Sequence, residues 1–130
     1  AFENCISLES IEIPNSVTKI GFSAFWSCRR LTSIKISNSL TSIGSLAFFD
    51  CENLTSIELP NSLTSIGAEA FYCCTNLKSI VIPNSVTKIG YDVFYGCENL
   101  TIYCRARSKP SGWSSDWNSS NRPVVWKYRK

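Results

Sequence analysis

"IPNSVTKIG" occupies residues 13–21 and returns letter for letter at 82–90, with "ISNSLTSIG" (36–44) and "LPNSLTSIG" (59–67) between the two copies. The closing glycines Gly21, Gly44, Gly67 and Gly90 stand 23 residues apart. So do Phe2, Phe25, Phe48, Phe71 and Phe94; Cys5, Cys28, Cys51, Cys74 and Cys97; and Leu8, Leu31, Leu54, Leu77 and Leu100. Four full units run 5–27, 28–50, 51–73 and 74–96. A truncated half-repeat precedes them from Ala1, and a fifth unit opens at Cys97. A constant period in the twenties, held by several columns in phase, describes a solenoid in which each repeat is one coil stacked on the last.

Periodicities inside the unit assign its local structure. "LTSIKI" and "LTSIEL" place Ile34 and Ile36, or Ile57 and Leu59, two apart, the alternation of a half-buried strand. One parallel sheet is predicted from Ser10–Ile13, Ser33–Ile36, Ser56–Leu59 and Ser79–Ile82, with Ile11, Ile34, Ile57 and Ile80 inward. Pro14, Pro60 and Pro83 before Asn-Ser end the strand with turn chemistry, Ser37 standing in for Pro in one rung. "TKIG" or "TSIG" predicts a second, brief strand or extended corner. "AFxxCxxL" spaces its apolar residues by three, which predicts a single 3₁₀ or α-helical turn on the convex side. The stacked Phe, Leu, Ile and Cys columns form the core. One coil cannot bury its own faces, so each copy supplies the surface on which the next rests.

The unit C-x-x-L-x-x-I-x-I-P-N-S-V-T-x-I-G-x-x-A-F-x-x resembles the BspA-like branch of the leucine-rich repeats over residues 1–100. The resemblance implies an α/β repeat solenoid with a parallel sheet of short strands. It also implies a secreted or surface-attached protein of host-associated microbes, in a group associated with adhesion to host matrix or to other cells. The matching columns are the structural ones, so no functional residue carries over. The first residues already belong to a repeat, so the chain is expected to be a trimmed piece of a longer protein.

The repeat fails after Leu100. "LTIYC" reads as a strand one residue short, with Ile102 and Cys104 inward and Tyr103 outward. The solenoid is therefore assigned to 1–104 and a Trp-rich, basic C-terminal cap to 105–130. In the cap, Trp113 and Trp117 are expected on one face of a helical turn over the last coil, joined by Trp126, with "PVVW" as a final extended segment. Residues 1–100 carry six Lys/Arg against nine Asp/Glu, a net of −3, whereas 101–130 carry seven against one, a net of +6. That tail reads either as solvated charge or as a patch for phosphates or acidic glycans. Clustered Trp with basic residues likewise reads as a cap or as a ligand-stacking patch.

Catalytic chemistry finds little to work with, and the chain is read as no enzyme. It has no His, no phosphate-cradling Gly loop and no carboxylate pair spaced for acid–base work. No cofactor, metal or nucleic acid is expected, and no apolar run approaches the roughly 20 residues of a membrane helix. Five of the seven cysteines form the 23-residue column and are expected as buried free thiols, because stacked rungs keep Cβ atoms wider apart than the roughly 3.8 Å a disulfide prefers. Cys73 and Cys104 lie off the column and are the candidates for a bridge or a reactive thiol. "NLT" at Asn53 and Asn99 and "NSS" at Asn118 are glycosylation sequons that matter only in a eukaryotic secretory host.

Two outward columns are candidate binding faces. Glu12, Lys35, Glu58 and Val81 lie on the strand face, flanked by Ser10, Ser33, Ser56 and Ser79, and read as cross-strand charge pairing or as a ligand-reading surface. Trp26, Phe49, Tyr72 and Tyr95 run beside the core Phe column and read as semi-buried packing or as an exposed aromatic stripe. The function that follows is a non-enzymatic extracellular or cell-surface binding module of a larger protein, adhesive in character. Its partner would be a host or microbial surface protein or glycan, and end-to-end self-association through the N-terminal edge is a further expectation. A structural spacer and an accessory carbohydrate-binding module of an enzyme are the alternatives.

Overall fold

The structure, a computed structural model, describes residues 8–129; Phe2 and Cys5 lie outside them. The described chain is a parallel β-solenoid. Its strands are β1 (Ser10–Glu12), β2 (Lys19–Ile20), β3 (Ser33–Lys35), β4 (Ser42–Ile43), β5 (Ser65–Ile66), β6 (Ser79–Ile82), β7 (Lys88–Ile89), β8 (Thr101–Cys104) and β9 (Val124–Val125). Each Pro-Asn-Ser corner closes through a bond to the proline carbonyl, from Val17, Leu63 and Val86 N–H at 3.1, 3.1 and 3.2 Å.

The brief second strand of each unit builds the longest uninterrupted ladder. β2, β4, β5 and β7 pair in parallel with Ile20, Ile43, Ile66 and Ile89 in register, and Trp113 extends the row by a bridge to Ile89. The first-strand side departs from the single sheet expected. β1 pairs β3, β6 pairs β8 and β8 pairs β9, but 56–59 form no strand between them. The inward phase holds regardless, with Ile34, Ile57 and Ile80 buried and Ile11 half-buried. At the interrupted rung the backbone bonds stretch: Thr55 N–H reaches Thr32 carbonyl at 3.4 Å and Lys78 N–H reaches Thr55 carbonyl at 3.3 Å, against 2.9 Å from Thr32 to Glu9. The core Phe rings stack at 5.3, 5.2 and 5.7 Å, wider than the roughly 4.8 Å of a parallel ladder.

The convex side carries no helix, contrary to the helical turn expected of "AFxxCxxL". Residues 21–31 instead make successive turns in which alternate N–H groups point two ways. Those of Ala24, Trp26 and Cys28 bond locally to Gly21, Ser23 and Phe25 carbonyls (3.3, 3.2, 3.2 Å), while those of Ser23, Phe25 and Ser27 cross to Ser45, Ala47 and Phe49 of the next coil (3.0, 2.7, 2.7 Å). A helix would turn every N–H inward on its own segment; stacking recruits half of them instead. The switch in direction requires left-handed backbone, and it recurs at Ser23, Leu46, Glu69 and Asp92 and again at Ser27, Asp50, Cys73 and Gly96.

Side-chain ladders stitch the coils together. Thr41, Thr64 and Thr87 hydroxyls donate to the carbonyls of Thr18, Thr41 and Thr64 (3.0, 2.9, 3.4 Å). Asn53, Asn76 and Asn99 amides donate to the carbonyls of Arg29, Glu52 and Thr75 (2.7, 2.8, 3.1 Å). The described cysteines are all free thiols. Cys104, a candidate reactive or bridging residue, is buried in β8 in register with Ile82, and burial pushes its pKa up to about 12. Cys73 is half-buried, and its thiol is also raised, by burial first and then by the Asp50 carboxylate.

At the C-terminal end Trp113 and Trp117 are buried in the same core as the repeats. Trp117 meets Phe94 edge-on at 6.3 Å, Trp113 meets Trp117 at 4.8 Å, and half-buried Trp126 lies 5.9 and 6.2 Å from the two. The Trp113 indole donates to Val86 carbonyl at 3.2 Å. No helical turn presents this pair. Trp113 and Trp117 each close a turn of their own, on Pro110 and Ser114 carbonyls, because Trp113 N–H and Ser114 N–H answer to separate partners, the second being Ile89 carbonyl in the preceding coil.

Candidate binding faces

Strand parity places the candidate column Glu12, Lys35, Glu58 and Val81 outward, between the inward isoleucines. The first three are exposed and Val81 is half-buried. They line a concave groove of about 1040 Å³ along the solenoid axis, floored by Ser33, Ser56 and Ser79. Glu12 and Lys35 are register partners, but the two ion pairs among the described residues lie elsewhere: Arg29 with Asp50 at 3.1 Å and Arg30 with Glu9 at 2.7 Å. The cross-strand charge pairing expected of the column is therefore not made as salt bridges. Its charges face the groove.

The aromatic column is spent largely on itself. Phe49 stacks on Tyr72 at 4.8 Å and Tyr72 on Tyr95 at 5.0 Å, with ring planes 9° and 20° from parallel, while Trp26 meets Phe49 edge-on at 6.1 Å. The inner rings are half-buried by their neighbours, and the end residues Trp26 and Tyr95 are exposed. The stripe thus offers ring edges along its length and a free face only at its ends.

At its C-terminal end the strand face continues into a second hollow of about 410 Å³, lined in part by Glu58, Val81, Arg105 and Tyr128. There the Tyr103 and Tyr128 rings lie 4.7 Å apart, and the Arg105 guanidinium sits 5.6 Å from the Tyr128 ring centre. Sequence reading did not anticipate this corner, because the tail keeps no phase with the repeats. It also passed over Phe22 and Tyr91, which are more exposed than any residue of the stripe. A column-by-column comparison of the residue after "IG" carries that signal: Phe, Ser, Ala, Tyr.

A family model described as the BspA type leucine-rich repeat region matches residues 1–106 in six copies. Among solved structures the chain is similar to a leucine-rich repeat protein of T. pallidum, at 38% identity and TM-score 0.78 over 79% of this chain and 49% of that one. It is similar to one from Bacteroides ovatus at 40% identity and TM-score 0.74, over 88% of this chain and 28% of that one. A third, from Bacteroides capillosus, shares 28% identity at TM-score 0.62, over 94% and 79% of the two chains. The chain spans about half the length of the first and under a third of the second. It matches no curated protein.

Proposed function

We propose, on the premise that the chain belongs to the BspA-type leucine-rich repeat family, that it is a non-enzymatic binding module of a larger extracellular or cell-surface protein. It takes a protein segment into the strand-face groove. The observation that carries this reading is the groove itself: Glu12, Lys35 and Glu58 stand exposed over a serine floor, outside the ion pairs of the described residues. Charges of alternating sign along a stiff concavity favour an extended partner of complementary pattern and set register more than raw affinity. Serine columns provide few anchors, so each module binds weakly and gains strength through several copies on one surface. No described helix is long and apolar enough to cross a membrane.

The spacer reading draws on one observation, the self-stacking of Phe49, Tyr72 and Tyr95, which uses ring faces to stiffen the coil. Screening a multivalent, folded preparation against host-matrix proteins separates the two. Binding that falls when Lys35→Glu and Glu58→Lys are introduced together, and not on Tyr72→Ala with Tyr95→Ala, supports the groove. A clean negative across matrix proteins and a glycan array favours the spacer.

A further inference from the structure

The uninterrupted ladder β2–β4–β5–β7 carries a patterned outer surface on a different side of the coil from the groove. Its outward column reads Lys19, Ser42, Ser65, Lys88, with register partners Lys19–Ser42, Ser42–Ser65 and Ser65–Lys88. Three residues further on, the same four coils present Phe22, Ser45, Ala68 and Tyr91. The first and fourth coils therefore each offer a lysine and an aromatic ring, and the two between offer only small side chains. Phe22 is 69% exposed and Tyr91 52%. Among the described residues neither ring takes part in an aromatic stack, unlike Trp26 and Tyr95. Lys19 and Lys88 are exposed and stand outside the two ion pairs of the described residues. The result is a flat saddle whose two ends lie three rung steps apart, about 14 Å at roughly 4.8 Å per rung.

We propose that this saddle binds an extended acidic polysaccharide, laid along the solenoid axis. Phe22 and Tyr91 would stack on sugar rings at either end, and Lys19 and Lys88 would pair with its carboxylates. The chemistry follows from the four residues. An exposed ring offers its electron-rich face to the C–H face of a sugar. A paired cation beside each ring selects an anionic chain over a neutral one, with a salt-dependent contribution. The small residues of the middle coils let a continuous chain lie between the ends, and Ser42 and Ser65 put hydroxyls in the same outward register column as the two lysines. A folded protein would meet Phe22 and Tyr91 as two isolated bumps; a linear polymer meets both at once. This reading does not depend on the groove.

The test uses galacturonic acid hexamer as probe, with maltohexaose and hexaglutamate as controls, titrated calorimetrically on the whole chain. The variants are Phe22→Ser with Tyr91→Ala, and Lys19→Ser with Lys88→Ser. Ser and Ala are what the second and third coils already carry in these columns, so both variants keep the coil's own chemistry and should fold. The hexamer is expected to bind, and each double variant to weaken it by about tenfold or more, the lysine variant also flattening the salt dependence. Lys35→Glu with Glu58→Lys should leave this binding unchanged, which separates it from the groove. Failure of the hexamer to bind, binding indifferent to the aromatic pair, or maltohexaose binding as tightly would each overturn the proposal. So would hexaglutamate binding as tightly with the same variant pattern, which would reveal a charge-only surface.

Discussion

Cys74 donates its thiol proton to the carbonyl of Phe48, 26 residues earlier in the chain, across 3.2 Å. Cys51 and Cys97 do the same to Phe25 and Phe71 at 3.1 and 3.0 Å. The Phe48 carbonyl already accepts the Cys51 N–H at 3.2 Å, so the thiol occupies a second lone pair that would otherwise be buried unmet. The column cysteine is therefore both a core side chain and a tie between adjacent coils.

Cys74→Ala removes that tie and leaves a small void in a fully buried site. A loss of about 1–3 kcal/mol is expected in urea unfolding. Cys73→Ala, one residue away and half-buried, should stay within about 0.5 kcal/mol. Equal losses at both positions would refute the role of the column thiol.

Burial raises Cys51 to about 12 as well as Cys104, from an ordinary value of 9.0. The sign follows from proton counting. Between pH 9 and 12 the unfolded thiols release protons that the folded ones hold, so the unfolded state gains and stability falls as pH rises. Below pH 9 these groups contribute no slope. The fall should shrink in Cys51→Ala and Cys104→Ala, each thiol accounting for up to about 1.4 kcal/mol per pH unit in that window. A pH profile identical to that of the parent would contradict it. In the same window Cys73 should label first with a thiol reagent, since it is the described cysteine that is not fully buried.

The columns that define the core were legible because each is written by one letter repeated at fixed spacing. Ile34, Ile57 and Ile80 point inward as the alternation requires. The convex turns were not legible in the same way. A spacing of three suits a helical turn as well as it suits the observed run, and the deciding partner of Phe25 N–H is Ala47 in another coil. Left-handed backbone at Leu46, Asp50 and Glu69 gave no warning either, and only Gly96 in that set announces itself. The interrupted strand at 56–59 has nearly the same letters as the strand at 33–35, so its difference arises from stacking geometry and not from local propensity. Of the candidate faces, the groove column followed from parity alone. The Lys19, Phe22, Lys88, Tyr91 surface lies where the coils differ, whereas the columns that mark the repeat lie where they agree.

Removing residues 105–130 takes away Trp113, Trp117 and β9 together, and so uncovers Phe94, Ile89 and the outer edge of β8. Loss of monomeric, cooperatively melting protein is expected, because an exposed strand edge beside a bare core invites association. Trp117→Ala isolates the packing part of this effect at about 3–5 kcal/mol, read as a lower urea midpoint. A truncated chain that stays monomeric and melts unchanged would show that the tail is no cap.

The closing glycines separate close approach from sequence habit. A Cβ on Gly67 would lie 2.4 Å from Ser45 N and 2.7 Å from Gly44 C, and one on Gly44 would lie 2.7 Å from Gly21 C. All of these are backbone atoms of the preceding coil, which cannot move aside without opening the β4–β5 or β2–β4 pairing. Among the described residues a Cβ on Gly21 meets nothing within 4 Å. Gly67→Ala should therefore cost about 2–3 kcal/mol by forcing two coils apart, whereas Gly21→Ala should stay within about 0.5 kcal/mol. The same substitution at two positions of one column holds composition and local sequence nearly constant, so the difference between them measures how tightly the coils are drawn together. Equal effects at both sites would mean that the glycine column serves the turn itself, and that the stacking distance is set elsewhere in the coil.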